Sequence, residues 1–183
     1  MNRAAPGARA TRIGAVITRG DALVDAAVGR LRSPALDRIV YSLSSAADHS
    51  LLWHAAGVAQ AITRGGDFGA AARFSAAMGV ESALTNGPVK AAFGRLRPRD
   101  LSEVEYHYGL RRPITSSFPS GHATAAFCAA QLLGGGVGWY GLAAAVAATR
   151  VYVGLHHASD VVAGAAFGLV LGAGLRRVVA RKP

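Results

Sequence analysis

The chain has 183 residues, a formal net charge of +10, 51% hydrophobic residues and only 16% charged ones. Eighteen arginines against two lysines point to phosphate, nucleic acid or an anionic membrane as partner, but a mean hydropathy of +0.28 argues against a soluble nucleic-acid binder. The single cysteine, Cys128, excludes an intrachain disulfide, so composition favours a membrane protein whose basic residues sit in loops and at helix ends.

Residues 1–17 are expected to form a basic tail, with no secretory signal, since Arg19, Asp21 and Asp25 interrupt any apolar core. The spacing then predicts a helix over 21–32, with Leu23, Val24, Ala27, Val28 and Leu31 on one face and acidic residues leading basic ones. After Ser33-Pro34 a second amphipathic pattern places Leu36, Ile39, Val40, Leu43 and Ala47 together. Both helices are expected to lie at a membrane interface. Residues 1–47 thus form one region and residues 48–183 a second, apolar one.

The second region opens with an uncharged stretch, His49 to Thr63, short for a spanning helix, which needs roughly 20 apolar residues. A Gly65-Gly66-Asp67 turn follows, then a candidate span over 68–89 carrying Arg73 and Glu81. Those two are eight residues apart and share a face. They would pair with other helices or line a substrate path; alternatively Arg73 snorkels and Glu81 is a polar bundle contact. Residues 90–118 form a long basic loop that also holds Asp100, Glu103, Glu105 and His107, and its length points to a function. Further apolar segments run over about 121–135, 138–155 and 159–175, the last with Gly164, Gly168 and Gly172 at four-residue spacing, suited to close helix packing. Arg176, Arg177, Arg181 and Lys182 close the chain.

Three clusters stand at the ends of these segments. Lys90 precedes Arg97-Pro98 by six intervening residues. Phe118-Pro119-Ser120-Gly121-His122 ends the loop and opens a helix, where free backbone N–H groups attract an anion. Thr149-Arg150 is followed by His156 and then Asp160. One helix leaves this face and the next returns, so all three clusters can meet on one side of a membrane. Lys90, Arg97 and Arg150 would supply cationic donors to phosphoryl oxygens, with Ser120 and the Gly121 N–H completing the cradle. A histidine pair, His122 and His156, suits displacement at phosphorus: one attacks, the other protonates the leaving oxygen. Asp160 can orient the attacking imidazole. His157 lies three residues from Asp160, so spacing alone leaves the nucleophile open between His156 and His157.

The three clusters resemble the tripartite signature of the type 2 phosphatidic acid phosphatase family, which shares its site with vanadium haloperoxidases and bacterial class A acid phosphatases. The pattern Lys-x6-Arg-Pro, Pro-Ser-Gly-His, Ser-Arg-x5-His-x3-Asp is met at Lys90, Arg97, Pro98, Pro119, Ser120, Gly121, His122, Arg150, His156 and Asp160, with Thr149 replacing the serine. The resemblance covers roughly residues 68–175 and not the first 47. It implies an all-α, polytopic membrane bundle of about five transmembrane helices, preceded by the amphipathic interfacial helices. It implies His156 as a nucleophile forming a phosphohistidine, oriented by Asp160, with His122 as acid and then base. Lys90, Arg97, Ser120, Gly121 and Arg150 would hold the phosphoryl oxygens. No metal or other cofactor is expected.

The implied activity is hydrolysis of a lipid phosphomonoester, with the bilayer and a lipid phosphate as partners and no nucleic acid. The short Ala/Gly/Arg-rich chain is similar to actinobacterial members proposed to act on polyprenyl-phosphoryl sugars, which makes decaprenylphosphoryl-5-phosphoribose, a precursor for cell-wall arabinan, the specific expectation. Undecaprenyl pyrophosphate, phosphatidylglycerophosphate and phosphatidic acid are rival substrates. Haloperoxidase, soluble acid phosphatase and a non-catalytic lipid-binding module are rival classes. The expected place is the cell (inner) membrane, multi-pass. Seven arginines in the first 47 residues favour a cytoplasmic N-terminus, and hence a cytoplasmic-facing site. Nothing in the sequence sets an oligomeric state.

Overall fold

The computed structural model describes residues 6–98 and 113–179. The expectations placed on residues 1–5, on the acidic residues Asp100, Glu103 and Glu105, and on Arg181 and Lys182 lie outside them. Among the described residues the chain is all helical, with no strand. The elements are α1 (Pro6–Gly29), α2 (Pro34–Ala46), a 3-10 turn (Asp48–Ser50), α3 (Leu51–Thr63), α4 (Phe68–Leu84), a π turn (Thr85–Val89), α5 (Gly121–Leu132), α6 (Val137–Tyr152) and α7 (Ala158–Val179).

Local chemistry sets the boundaries. Ser33 caps α2 by accepting the Leu36 N–H, with Pro34 in the first turn, where its missing N–H costs nothing. Gly65 and Gly66 take φ of 95° and 84°, a conformation that favours glycine, and Asp67 then caps α4 through the Ala70 N–H at 2.8 Å. Gly87-Pro88 kinks the chain after α4, aiming Lys90 out of the helix line.

Helices α3 to α7 form an up-and-down bundle. Gln60, near the end of α3, donates to the Leu133 carbonyl past the end of α5 at 2.9 Å. Arg73, early in α4, donates to the Val179 carbonyl at the end of α7 at 3.2 Å. These bonds mark the end of the bundle opposite the three clusters, and they resolve the Arg73 alternative in favour of a helix-to-helix bond. Helix α5 is alanine-rich on every side and runs through the centre, where Ala123, Ala126, Cys128, Ala129 and Ala130 are fully buried. Trp53, Phe74 and Met78 pack around it.

The glycine stripe of α7 allows that close packing. A Cβ on Gly168 would stand 2.3 Å from the Thr124 carbonyl oxygen, and one on Gly164 2.5 Å from that of Ser120. Both obstacles are backbone of α5 and cannot swing aside. Gly168→Ala is therefore expected to destabilise the protein by about 1–3 kcal/mol through overpacking, read as a lowered Tm in detergent. Gly174→Ala, with nothing within 4 Å of the new Cβ, should leave Tm in place.

One described helical stretch, Ala158–Arg177, is long and apolar enough to cross a membrane, and only 22% of its apolar window is buried, unlike a soluble core helix. At about 1.5 Å per residue, the 13 residues of α3 and the 12 of α5 fall short of a full hydrocarbon core.

The N-terminal region departs from expectation twice. The basic tail is helical from Pro6 and continuous with the helix predicted from residue 21, because the stretch is rich in alanine and has no internal proline. The helix also ends earlier, at Gly29. Its predicted apolar face packs on the protein through Val28, but Leu23 is 67% exposed and Leu31, past the helix end, 62%, while Asp21 is turned inward at 5%. In α2 the predicted face holds: Leu36, Val40, Leu43 and Ala47 pack on the protein beside the buried Tyr41 and Ser44, while Ile39 points out. Apolar side chains face outward at no cost when the surroundings are hydrocarbon, and the inward polar ones then need protein partners.

Candidate active site

The sequence clusters converge on a cavity of about 640 Å³ at the end of the bundle where α4 and α6 finish and α5 and α7 begin. Lys90, Arg97, Gly121, His122, Arg150 and His156 all line it. Ser120 and Asp160 are fully buried and stand behind the wall. Ser120 caps α5 by accepting the Ala123 N–H, and its own N–H donates to the Asp160 carbonyl at 3.0 Å, tying the start of α5 to that of α7. Gly121 has a reason to lack a side chain: a Cβ there would meet Asn86 Oδ1 at 3.1 Å and Lys90 Nζ at 3.6 Å.

Arg97 organises the site more than it was expected to. Its Nη1 donates to the Leu155 carbonyl at 2.7 Å and contacts His156 Nε2 at 3.3 Å. Its Nη2 donates to the Thr115 carbonyl at 3.2 Å, and its Nε to that of Pro113 at 3.3 Å. A guanidinium can only donate, so His156 Nε2 must present its lone pair toward Arg97, which leaves the ring proton on Nδ1. That nitrogen stands 3.7 Å from Asp160 Oδ2, a charge contact beyond hydrogen-bond length. Such contacts are often long before a substrate is bound. His157, the rival nucleophile, turns elsewhere: its Nδ1 lies 3.7 Å from Asp25 Oδ2, and its backbone N–H donates to Asp160 Oδ2 at 2.9 Å.

His156 lies in the turn between α6 and α7 and is 2% exposed. Its pKa is pushed down to about 3, first by burial and then by Arg150 and Arg97, against the upward pull of Asp160. The imidazole is therefore neutral and nucleophilic across physiological pH. Its ring resonances are expected not to titrate between pH 8 and 5, whereas a solvated histidine has its midpoint near 6.5. The sign for stability follows: between these two pKa values the unfolded chain binds a proton that the folded chain does not. His156 thus contributes stability that is present above about 6.5 and lost as pH falls toward 3.

Arg150 is 2% exposed and bonded through Nη1 to Ser44 Oγ of α2, while its buried Nε has no hydrogen-bond partner among the described residues. An unspent donor beside a cavity fits an incoming oxyanion. His122 Nε2 pairs with Asp48 Oδ1 at 2.8 Å. Burial raises the Asp48 pKa, but His122 and then Arg150 outweigh it and leave the carboxyl below its usual range.

Several residues here were not foreseen. Arg95 spans Asp160 Oδ1 at 2.5 Å and Asp21 Oδ2 at 2.6 Å. Asp21 also accepts the Ser159 N–H at 2.9 Å and the Ser159 hydroxyl at 2.7 Å. Burial pushes its pKa up, and the Ser159 and Arg95 bonds more than offset that. Helix α1 thereby plugs into the back of the site. Two signals existed in the sequence: Arg95 sits two residues before Arg97, and Asp21 and Asp48 are carboxylates in a strongly basic region. Nothing marked Ser44.

A helical bundle with one membrane-length apolar helix closes a cationic cavity around two histidines, the class of site that suits a phosphoryl group. Comparison with known families agrees. A model of the PAP2 superfamily matches residues 70–183, and the chain belongs to that superfamily, a PAP2-family phosphatase. Among solved structures, it is similar to the first transmembrane PAP2 type phosphatidylglycerolphosphate phosphatase, from Bacillus subtilis. That likeness has a TM-score of 0.71, covers 89% of this chain and 86% of the other, and at 21% identity concerns the fold. No curated protein sequence matches the chain.

Proposed function

We propose that the protein hydrolyses a phosphomonoester carried by a membrane lipid, through a phosphohistidine on His156. The observation that carries this is the set of donors around His156: Lys90, Arg97 and Arg150 line one cavity with the Nε2 lone pair of a buried, neutral imidazole. His156 Nε2 attacks phosphorus, and the bond to the leaving alcohol breaks as His122 gives that oxygen its proton. The same His122 then takes a proton from water, which attacks phosphorus and breaks the N–P bond, releasing inorganic phosphate. Three cations and the Gly121 N–H stabilise the equatorial oxygens. Asp160 holds the Nδ1–H tautomer and stabilises the positive charge that develops on His156. Asp48 Oδ1, 2.8 Å from His122 Nε2, would orient that ring for the acid and base steps. No step calls for a metal ion.

Helices α3 to α7 would cross the bilayer together, multi-pass in the cell membrane, with α1 and α2 lying at the interface beside the site. The outward Leu23, Leu31 and Ile39 support that placement. By charge distribution the site would face the cytoplasm. Decaprenylphosphoryl-5-phosphoribose is the proposed substrate. The test is phosphate release by purified protein from this lipid, undecaprenyl pyrophosphate, phosphatidylglycerophosphate and phosphatidic acid in one detergent. The prenyl sugar phosphate is expected to give the highest kcat/KM; a flat ranking removes that substrate, and no release from any lipid removes the phosphatase reading.

A further inference from the structure

The phosphate cluster accounts for one part of the cavity wall. Another part comes from α4 and carries different chemistry: Glu81 and Ser82, with Asn86 of the adjoining π turn, line the same space. Glu81 is 1% exposed, deep in an apolar bundle where a carboxyl needs a reason to be. Its Oε1 accepts the Thr85 hydroxyl at 2.9 Å, and no cation stands at salt-bridge distance among the described residues. Asn86 Nδ2 donates to Ser82 Oγ at 3.2 Å, which holds both side chains in one arrangement. Asn86 Oδ1 also lies next to Gly121, so this strip abuts the phosphate cradle directly.

Helix geometry gives the strip its direction. Glu81 lies about 7 Å along the axis from Asn86, toward the bundle interior. A group entering from the phosphate cradle thus meets an amide, a hydroxyl and then a carboxyl. An acyl or prenyl chain laid there would offer nothing to the hydrogen-bonding capacity these groups keep beyond their bonds to Thr85 and to each other. A group bearing its own hydroxyls would satisfy them.

We infer that Glu81, Ser82 and Asn86 form a subsite for a polyhydroxylated group, a sugar or a glycerol phosphate, esterified to the phosphoryl group that is removed. This rests on the phosphatase reading above and narrows it, because it sets polyol-linked phosphates apart from phosphates on plain lipid alcohols. Glu81 acts on specificity through hydrogen bonds to substrate hydroxyls and takes no part in the bond-breaking steps.

The test compares kcat/KM for phosphatidylglycerophosphate, whose phosphate sits on a hydroxylated glycerol, with that for phosphatidic acid, whose phosphate sits on diacylglycerol. Wild type is expected to prefer the first at least tenfold, and Glu81→Gln and Ser82→Ala to collapse that ratio toward one, mainly through KM. Glu81→Gln keeps shape and one acceptor, so it tests recognition where Glu81→Ala could simply unfold the bundle. A wild-type preference for phosphatidic acid, or a ratio unchanged in both variants, overturns the subsite while leaving the phosphatase intact. Release from neither lipid, nor from any other phosphomonoester, overturns both.

Discussion

His156→Ala is expected to lower phosphate release by roughly a thousandfold or more, since the nucleophile is removed and water must attack without a covalent intermediate. The neutral imidazole is held from two sides, Arg97 at 3.3 Å from Nε2 and Asp160 at 3.7 Å from Nδ1, and no other described histidine has that combination. His157→Ala should retain most activity, because its side chain faces Asp25 and only its backbone N–H serves Asp160. Inorganic phosphate should still bind the His156→Ala protein, since Lys90, Arg97 and Arg150 remain. Acid-labile, base-stable labelling from a radiolabelled substrate should appear in wild type and vanish in this variant. Near-normal turnover in His156→Ala, or its loss in His157→Ala alone, would exchange the two histidines.

Arg95→Ala is the second large effect, and it acts at a distance from the substrate. Arg95 is a positioning residue that sits between two buried carboxylates: Asp160 is fully buried and Asp21 is 5% exposed. Removing one partner of a buried ion pair leaves the other charges uncompensated, a cost of about 3 kcal/mol even with Arg95 itself partly solvated. The stability loss should appear as a lower Tm in detergent. A freed Asp160 no longer fixes the His156 ring, so kcat should fall at least tenfold while KM changes little. Arg95→Lys should recover only part of this, because an ammonium cannot span both carboxylates as the planar fork does. Asp21→Asn tests the link to α1: it should lower kcat in the same direction by a smaller factor. An unchanged kcat in Asp21→Asn would mean that α1 merely rests on the site.

Motif chemistry was legible in the sequence because it is local. Pro119-Ser120-Gly121-His122 carries its own helix cap and close-approach glycine, and the count of helices between clusters is enough to bring their ends to one face. The turns at Gly65-Gly66 and the stripe at Gly164, Gly168 and Gly172 were legible for the same reason: each has a steric requirement that glycine alone meets. In α1, amphipathicity says which side is apolar but not which polar residue turns inward to meet the bundle. Leu23 and Leu31 turn away from the protein, and Asp21 turns in.

Residue types and spacing thus pointed to amphipathic and apolar helices and to a cationic, two-histidine site, because periodicity, caps and charge are properties of short stretches. The partners of that site came from folding. Arg95 reaches Asp21 across 74 positions, and His122 reaches Asp48 across another 74. No local pattern encodes a contact over such a separation. It exists because α1 and the turn before α3 come to rest against the end of the bundle, where buried charges must find opposite charges or stay unpaired.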